Sequence, residues 1–137
     1  MFENCGSLSL LKINNFDTSS VTNMWRMFEY CSKLRNIEIS NFDASLVTDM
    51  SEMFRECDNL TSVDLRNLDT SNIKTMYSMF YKCVNLTTVR ADNWELDNAT
   101  EIWEMFQGCE KLKTVYVKDS WNLKNCDAHN MFLYCTS

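Results

Sequence analysis

The string Met-Phe-x-x-Cys begins at Met1, Met27, Met53, Met79, Met105 and Met131, a fixed step of 26 residues. A chain that repeats itself this regularly is constrained to fold as a stack of equivalent loops, each burying its apolar side against its neighbours. Three residues after the cysteine comes a leucine, at Leu8, Leu34, Leu60, Leu86 and Leu112. Counting from it, the second loop reads Leu34, Ile37, Ile39, Phe42, Val47, Met50, Met53, Phe54 and Cys57. Loops one and three repeat this apolar series. Loop four keeps it with Ala91, Trp94, Ala99 and Ile102 substituted in. Nine columns over four loops are apolar without exception, which only a shared core explains. The chain is therefore read as a single domain, 1–137, with repeats 1–26, 27–52, 53–78, 79–104 and 105–130 and a partial repeat 131–137. Because it starts and stops inside a repeat, it is expected to be part of a longer protein.

Each loop carries two local periods. Ser62-Val63-Asp64-Leu65 alternates polar and apolar, as a half-buried strand does. Met24, Met27, Phe28 and Cys31 fall at i, i+3, i+4 and i+7, the stripe of an amphipathic helix. Between them, Asn-Phe-Asp-Thr-Ser and its variants supply turn and cap chemistry. The expected fold class is α/β: a solenoid of about five strand-turn-helix loops, with one parallel sheet on one side and helices on the other. The last loop is irregular. Position 120 should be aromatic and is Ser120, and position 125 should be valine and is Asn125; a slide of one residue puts Trp121 and Cys126 in those columns instead.

Composition narrows the function. Thirteen basic residues against nineteen acidic ones leave a net charge of −6, which disfavours a nucleic-acid partner. Two glycines and no proline exclude the glycine-rich phosphate loops, and one histidine excludes multi-histidine metal sites. No apolar run is long enough to span a bilayer. The start, Met-Phe-Glu-Asn-Cys-Gly, lacks the basic and apolar regions of a signal peptide, so none is expected at this N-terminus.

The run M-F-x-x-C-x-x-L-x-x-V-x-L followed by N-F-D-T-S-x-V-T-x-M resembles the BspA-like leucine-rich-repeat surface proteins, in the variant common in mycoplasma surface lipoproteins. The resemblance covers nearly the whole chain. It implies a right-handed, leucine-rich-repeat-like solenoid, a cell-surface or extracellular location and an adhesion role toward a host or neighbouring-cell protein. It implies no catalytic residues.

Among candidate sites, six of the seven cysteines lie in one column: Cys5, Cys31, Cys57, Cys83, Cys109 and Cys135. They read as a ladder of buried, reduced thiols, with parallel Cβ vectors opposing disulfides. A Cys–His nucleophile using His129 lacks an identifiable orienting partner. Met24/Met27, Met50/Met53 and Met76/Met79 read as core rather than a soft-metal site. Stacked Asp17, Asp43, Asp69 and Glu95 raise the question of calcium. The glycine-rich turns of a calcium β-roll are missing, however, so turn hydrogen bonding is the preferred reading. Arg26, Glu29, Glu52 and Arg55 read as a solvated, ion-paired face. No metal, cofactor or catalytic activity is expected.

Two surfaces remain for partners. One is the outward column of the strands, Lys12, Glu38, Asp64, Arg90 and Tyr116, which changes residue type in every loop. The other is an aromatic column, Trp25, Tyr77 and Trp103, interrupted by Ser51. The expected function is a noncatalytic protein-interaction module, with a structural spacer as the alternative. Uncapped apolar ends also suggest end-to-end or dimeric self-association.

Overall fold

The computed structural model describes residues 1–13, 15–118 and 121–137. Its regular elements are five short strands: β1 (Leu10–Lys12), β2 (Asn36–Glu38), β3 (Ser62–Asp64), β4 (Thr88–Ala91) and β5 (Thr114–Val117). They pair in parallel at the repeat offset, Leu11 against Ile37 and Val63 against Val89 against Val115. On the far side of each coil a second parallel ladder runs through all five layers, from Asn23 through Asp49, Thr75 and Glu101 to Asp127.

The expected α/β class is overturned. No helix is found among the described residues, and the stripe Met24, Met27, Phe28, Cys31 forms consecutive tight turns. In the second coil Met53 N–H donates to Met50 C=O, Arg55 to Glu52 and Cys57 to Phe54, each three residues back. The alternate N–H groups point out of the layer: Met50 donates to Thr75, Glu52 to Tyr77, Phe54 to Met79 and Glu56 to Tyr81, at 2.8–3.0 Å. The turns close because two residues per coil adopt the left-handed conformation. One column is Arg26, Glu52, Ser78, Glu104 and Asn130; the other is Asn4, Tyr30, Glu56, Lys82, Gly108 and Tyr134, all with φ between 51° and 75°. The two lie four positions apart, so the chain turns two corners four residues apart in each coil. That spacing sends the same i, i+3, i+4, i+7 residues inward as a helix would.

Spacing decides between the two. Packed helices need about 8–10 Å between axes, whereas stacked strands sit about 4.8 Å apart. Phe2, Phe28, Phe54, Phe80, Phe106 and Phe132 form one continuous ring stack through the turn side, with centroids 5.3–5.6 Å apart. The turn side therefore advances almost as tightly as the strands, and no helix fits in that rise. The helix-bearing leucine-rich-repeat assignment falls with it.

The single expected sheet is also corrected. The strands divide into a two-stranded sheet, β1–β2, and a three-stranded sheet, β3–β4–β5. At the break, Thr61 N–H stands 3.5 Å from Arg35 C=O, whereas the equivalent Thr87-to-Thr61 bond is 2.9 Å. Here Glu38 and Asp64 adjoin on successive strands, and like charges directly opposite destabilise strand pairing.

In the irregular last coil, position 120 lies outside the described residues. Trp121 stacks on Trp94 at 6.1 Å, in the column of Phe42 and Leu68. Cys126 N–H donates to Leu123 C=O, the bond Val47 makes to Ala44, so Cys126 stands in the valine column.

Candidate binding faces

Strand alternation sends Leu11, Ile37, Val63, Val89 and Val115 toward the core and sets Lys12, Glu38, Asp64, Arg90 and Tyr116 on one outward column. Lys12, Glu38, Asp64 and Tyr116 are exposed and Arg90 is half-buried. Asp64 and Arg90 are each held by the side chain two residues further along the chain. Arg66 grips Asp64 through Nε and Nη2 at 2.7–3.2 Å, and Arg90 grips Asp92 through Nε and Nη2 at 2.8 Å. These hydrogen bonds hold both aspartates below the usual carboxylate range. The Arg90 guanidinium also lies over the Tyr116 ring, 4.4 Å from its centre. At the sheet break a cleft of about 240 Å³ opens, lined by Ile37, Glu38, Ile39, Ser40, Asp64, Arg66 and Asn67.

The aromatic column is not a row of free rings. Tyr77 and Trp103 are half-buried and stacked on each other at 4.5 Å, and His129 continues the stack at 5.7 Å from Trp103. Ser51 is buried in the gap, its hydroxyl donating to Thr75 Oγ1 at 3.0 Å. Burial pushes the Tyr77 phenol up. Trp25 stands apart, 46 % exposed, with Arg26 over its ring at 4.4 Å and its Nε1 donating to Glu52 at 3.3 Å. Of the three aromatics singled out in the sequence, Trp25 is the most exposed, with Arg26 over its ring.

The charged quartet read as a solvated face is instead an inward-set network. Glu29 is 1 % exposed and Glu52 4 %. Arg26 reaches Glu29 at 3.2 Å and Glu52 at 3.0 Å; Arg55 reaches the same two at 3.5 and 3.4 Å. Burial outweighs the two guanidiniums and raises the Glu29 carboxyl above its ordinary range. Burial works to lower Arg26, but its hydrogen bond to Glu52 leaves it raised overall. Residue types gave no signal of this, because Arg and Glu on successive turns fit an exposed face equally well. The signal lay in the repeat: these positions adjoin the core methionine and phenylalanine of the same turn.

The other columns serve the scaffold. All seven cysteines are free. Cys31, Cys57, Cys83, Cys109 and Cys135 each donate Sγ–H to the phenylalanine carbonyl of the coil before, at 3.0–3.1 Å. Asp17, Asp43 and Asp69 accept from Ser19, Ser45 and Ser71 N–H at 2.9–3.0 Å, which is turn capping. His129 Nδ1 lies 2.6 Å from Asp127 Oδ1, an orienting carboxylate that the sequence reading missed.

The class these features define is a stack of 26-residue strand-and-turn coils with a uniform core and a varied outer face. The chain belongs to the family described as Mycoplasma protein of unknown function, DUF285, whose model matches residues 1–121 and again 65–137. Overlapping matches of this kind fit a sequence that repeats itself. No curated protein and no solved structure shows significant similarity to the chain.

Proposed function

We propose that this chain is a noncatalytic protein-binding module of a bacterial cell-surface protein, akin to the BspA-like surface proteins in its Met-Phe-x-x-Cys motif, and that it binds through its outward strand column. The observation that carries this reading is a contrast within one scaffold. Inward columns repeat the same residue types coil after coil, while the column Lys12, Glu38, Asp64, Arg90, Tyr116 presents a different side chain in every coil. A rigid frame with one varied exposed face is how stacked-repeat proteins hold extended partners. The exposed indole of Trp25 supplies a second anchor on the turn side.

A structural spacer is the second reading, favoured by the unbroken phenylalanine stack through all layers. Adhesion of cultured epithelial cells and of matrix proteins to beads coated with the chain separates the two. Binding that falls when Lys12, Asp64 and Tyr116 are changed together to alanine, with thiol protection retained as the check of folding, supports the binding module. Adhesion that is absent, or indifferent to that change and to Trp25→Ala, favours the spacer.

A further inference from the structure

We propose that the outward strand face pairs with the same face of a second copy of this chain, with coil order reversed. The proposal rests on reading that face as a binding surface and names its partner. Consider a two-fold axis lying in the face, parallel to the strands and crossing β3. It exchanges coil two with coil four and coil one with coil five, while each outward column faces itself. The sequence of charges along the central column is then self-complementary. Glu38 meets Arg90 of the other copy, and Arg90 meets its Glu38. Lys12 meets the Tyr116 ring, a cation–π contact, and Tyr116 meets Lys12. In the next column Ser40 meets Asp92, a donor against an acceptor. At the axis Asp64 faces Asp64 and Arg66 faces Arg66, as two ion pairs each closed within its own copy, Nη2 to Oδ2 at 2.7 Å.

The alternative two-fold, along the stack, sets Lys12 on Lys12, Glu38 on Glu38 and Arg90 on Arg90, so charge selects the reversed arrangement. The cleft supplies a second, independent reason. Among the described residues the one break in the strand ladder falls between Glu38 and Asp64, and the opening of about 240 Å³ has both carboxylates in its walls, with Arg66 held on Asp64 beside them. That is ample for a guanidinium. In the reversed pairing Glu38 of this cleft faces Arg90 of the other copy, whose Nε and Nη2 hold Asp92 and whose Nη1 makes no hydrogen bond among the described residues. Each copy thus sets one arginine opposite Glu38 of the other, and the symmetry makes both contacts at once.

Size limits the strength. Five layers at about 4.8 Å, three outward residues wide, make a patch of roughly 20 by 15 Å. Two such patches bury far less than the roughly 1,200 Å² of a stable standard interface, so the contact is weak and transient. It is also salt-sensitive.

The test is sedimentation equilibrium of the purified chain up to millimolar concentration at low and high salt, with a charge-swap cycle. The expected result is a mass rising toward a dimer at low salt and falling back at high salt. Glu38→Arg and Arg90→Glu should each weaken association by about tenfold or more, because each turns two attractive pairs into two repulsive ones. The double variant, in which position 38 again faces an opposite charge at position 90, should recover it. Lys12→Gln, which removes the charge at an exposed position without setting a like charge beside Glu38, should also weaken it. A strict monomer overturns the proposal, as do single swaps without effect and a double variant that fails to recover. Association that strengthens with salt would point to apolar ends instead. Because only the pure chain is used, the outcome is independent of whether any adhesion partner is found.

Discussion

Phe54 and Phe16 occupy different fates within one repeat. Phe54 is 0 % exposed in the middle of the ring stack, and Phe16 is 42 % exposed in the first coil. Truncating a buried phenylalanine costs about 3–5 kcal/mol. Phe54→Ala should therefore shift the urea midpoint several times further than Phe16→Ala, and equal shifts would contradict the buried stack. The thiols make a second claim at this scale. Burial raises Cys57, Cys83 and Cys109 far above the ordinary thiol range. The folded chain keeps these protons at pH values where the unfolded chain, with thiols near about 8.5, gives them up. Their contribution is thus intact below that pH and is lost as pH rises above it, by about 1.4 kcal/mol per thiol for each unit. Chemical unfolding at pH 8 and pH 10 checks this, and a thiol reagent should label the denatured chain but leave these three cysteines untouched in the native one. A midpoint that holds steady to pH 10 would count against three fully buried thiols.

At the scale of the element, the core was legible in the sequence and the backbone was not. Columns such as Leu34/Leu60/Leu86 and Phe28/Phe54/Phe80 identify the inward side of every coil, because burial selects residue type at a fixed repeat position. The backbone between them was misread because a four-residue turn with one left-handed corner buries the same residues as a helical turn. The deciding quantity, the rise of about 4.8 Å per coil, belongs to the stack and to no single segment. The same blindness turned Glu29 and Glu52 into surface residues. By contrast, the one-residue slide that brings Trp121 beside Trp94 was readable, because an aromatic column tolerates few substitutes. One substitution discriminates the two backbones by sign. Lys82 has φ of 56°. Lys82→Gly should raise stability by about 0.5–1 kcal/mol by relieving the left-handed corner. In a helix the same change would lower it by about 1 kcal/mol. Thermal or urea unfolding reads the sign directly.

Across the whole molecule, the layers are joined on the turn side by backbone bonds and the bridge ladder that leads into them, and within the core by the ring stack, while the strand face parts once among the described residues, at Glu38 and Asp64. The stack ends in apolar surface: Met1, Leu10 and Phe16 are exposed at one end, and Phe132, Leu133 and Tyr134 at the other. The central claim, that this is a fold of strands and turns whose alternate N–H groups bond between coils, has its most direct test in scalar coupling across hydrogen bonds by NMR. Phe54 N–H should couple to the carbonyl carbon of Met79, one coil away, and Glu52 N–H to that of Tyr77. Coupling of Phe54 N–H to Met50 instead would mean a helix and would contradict the account.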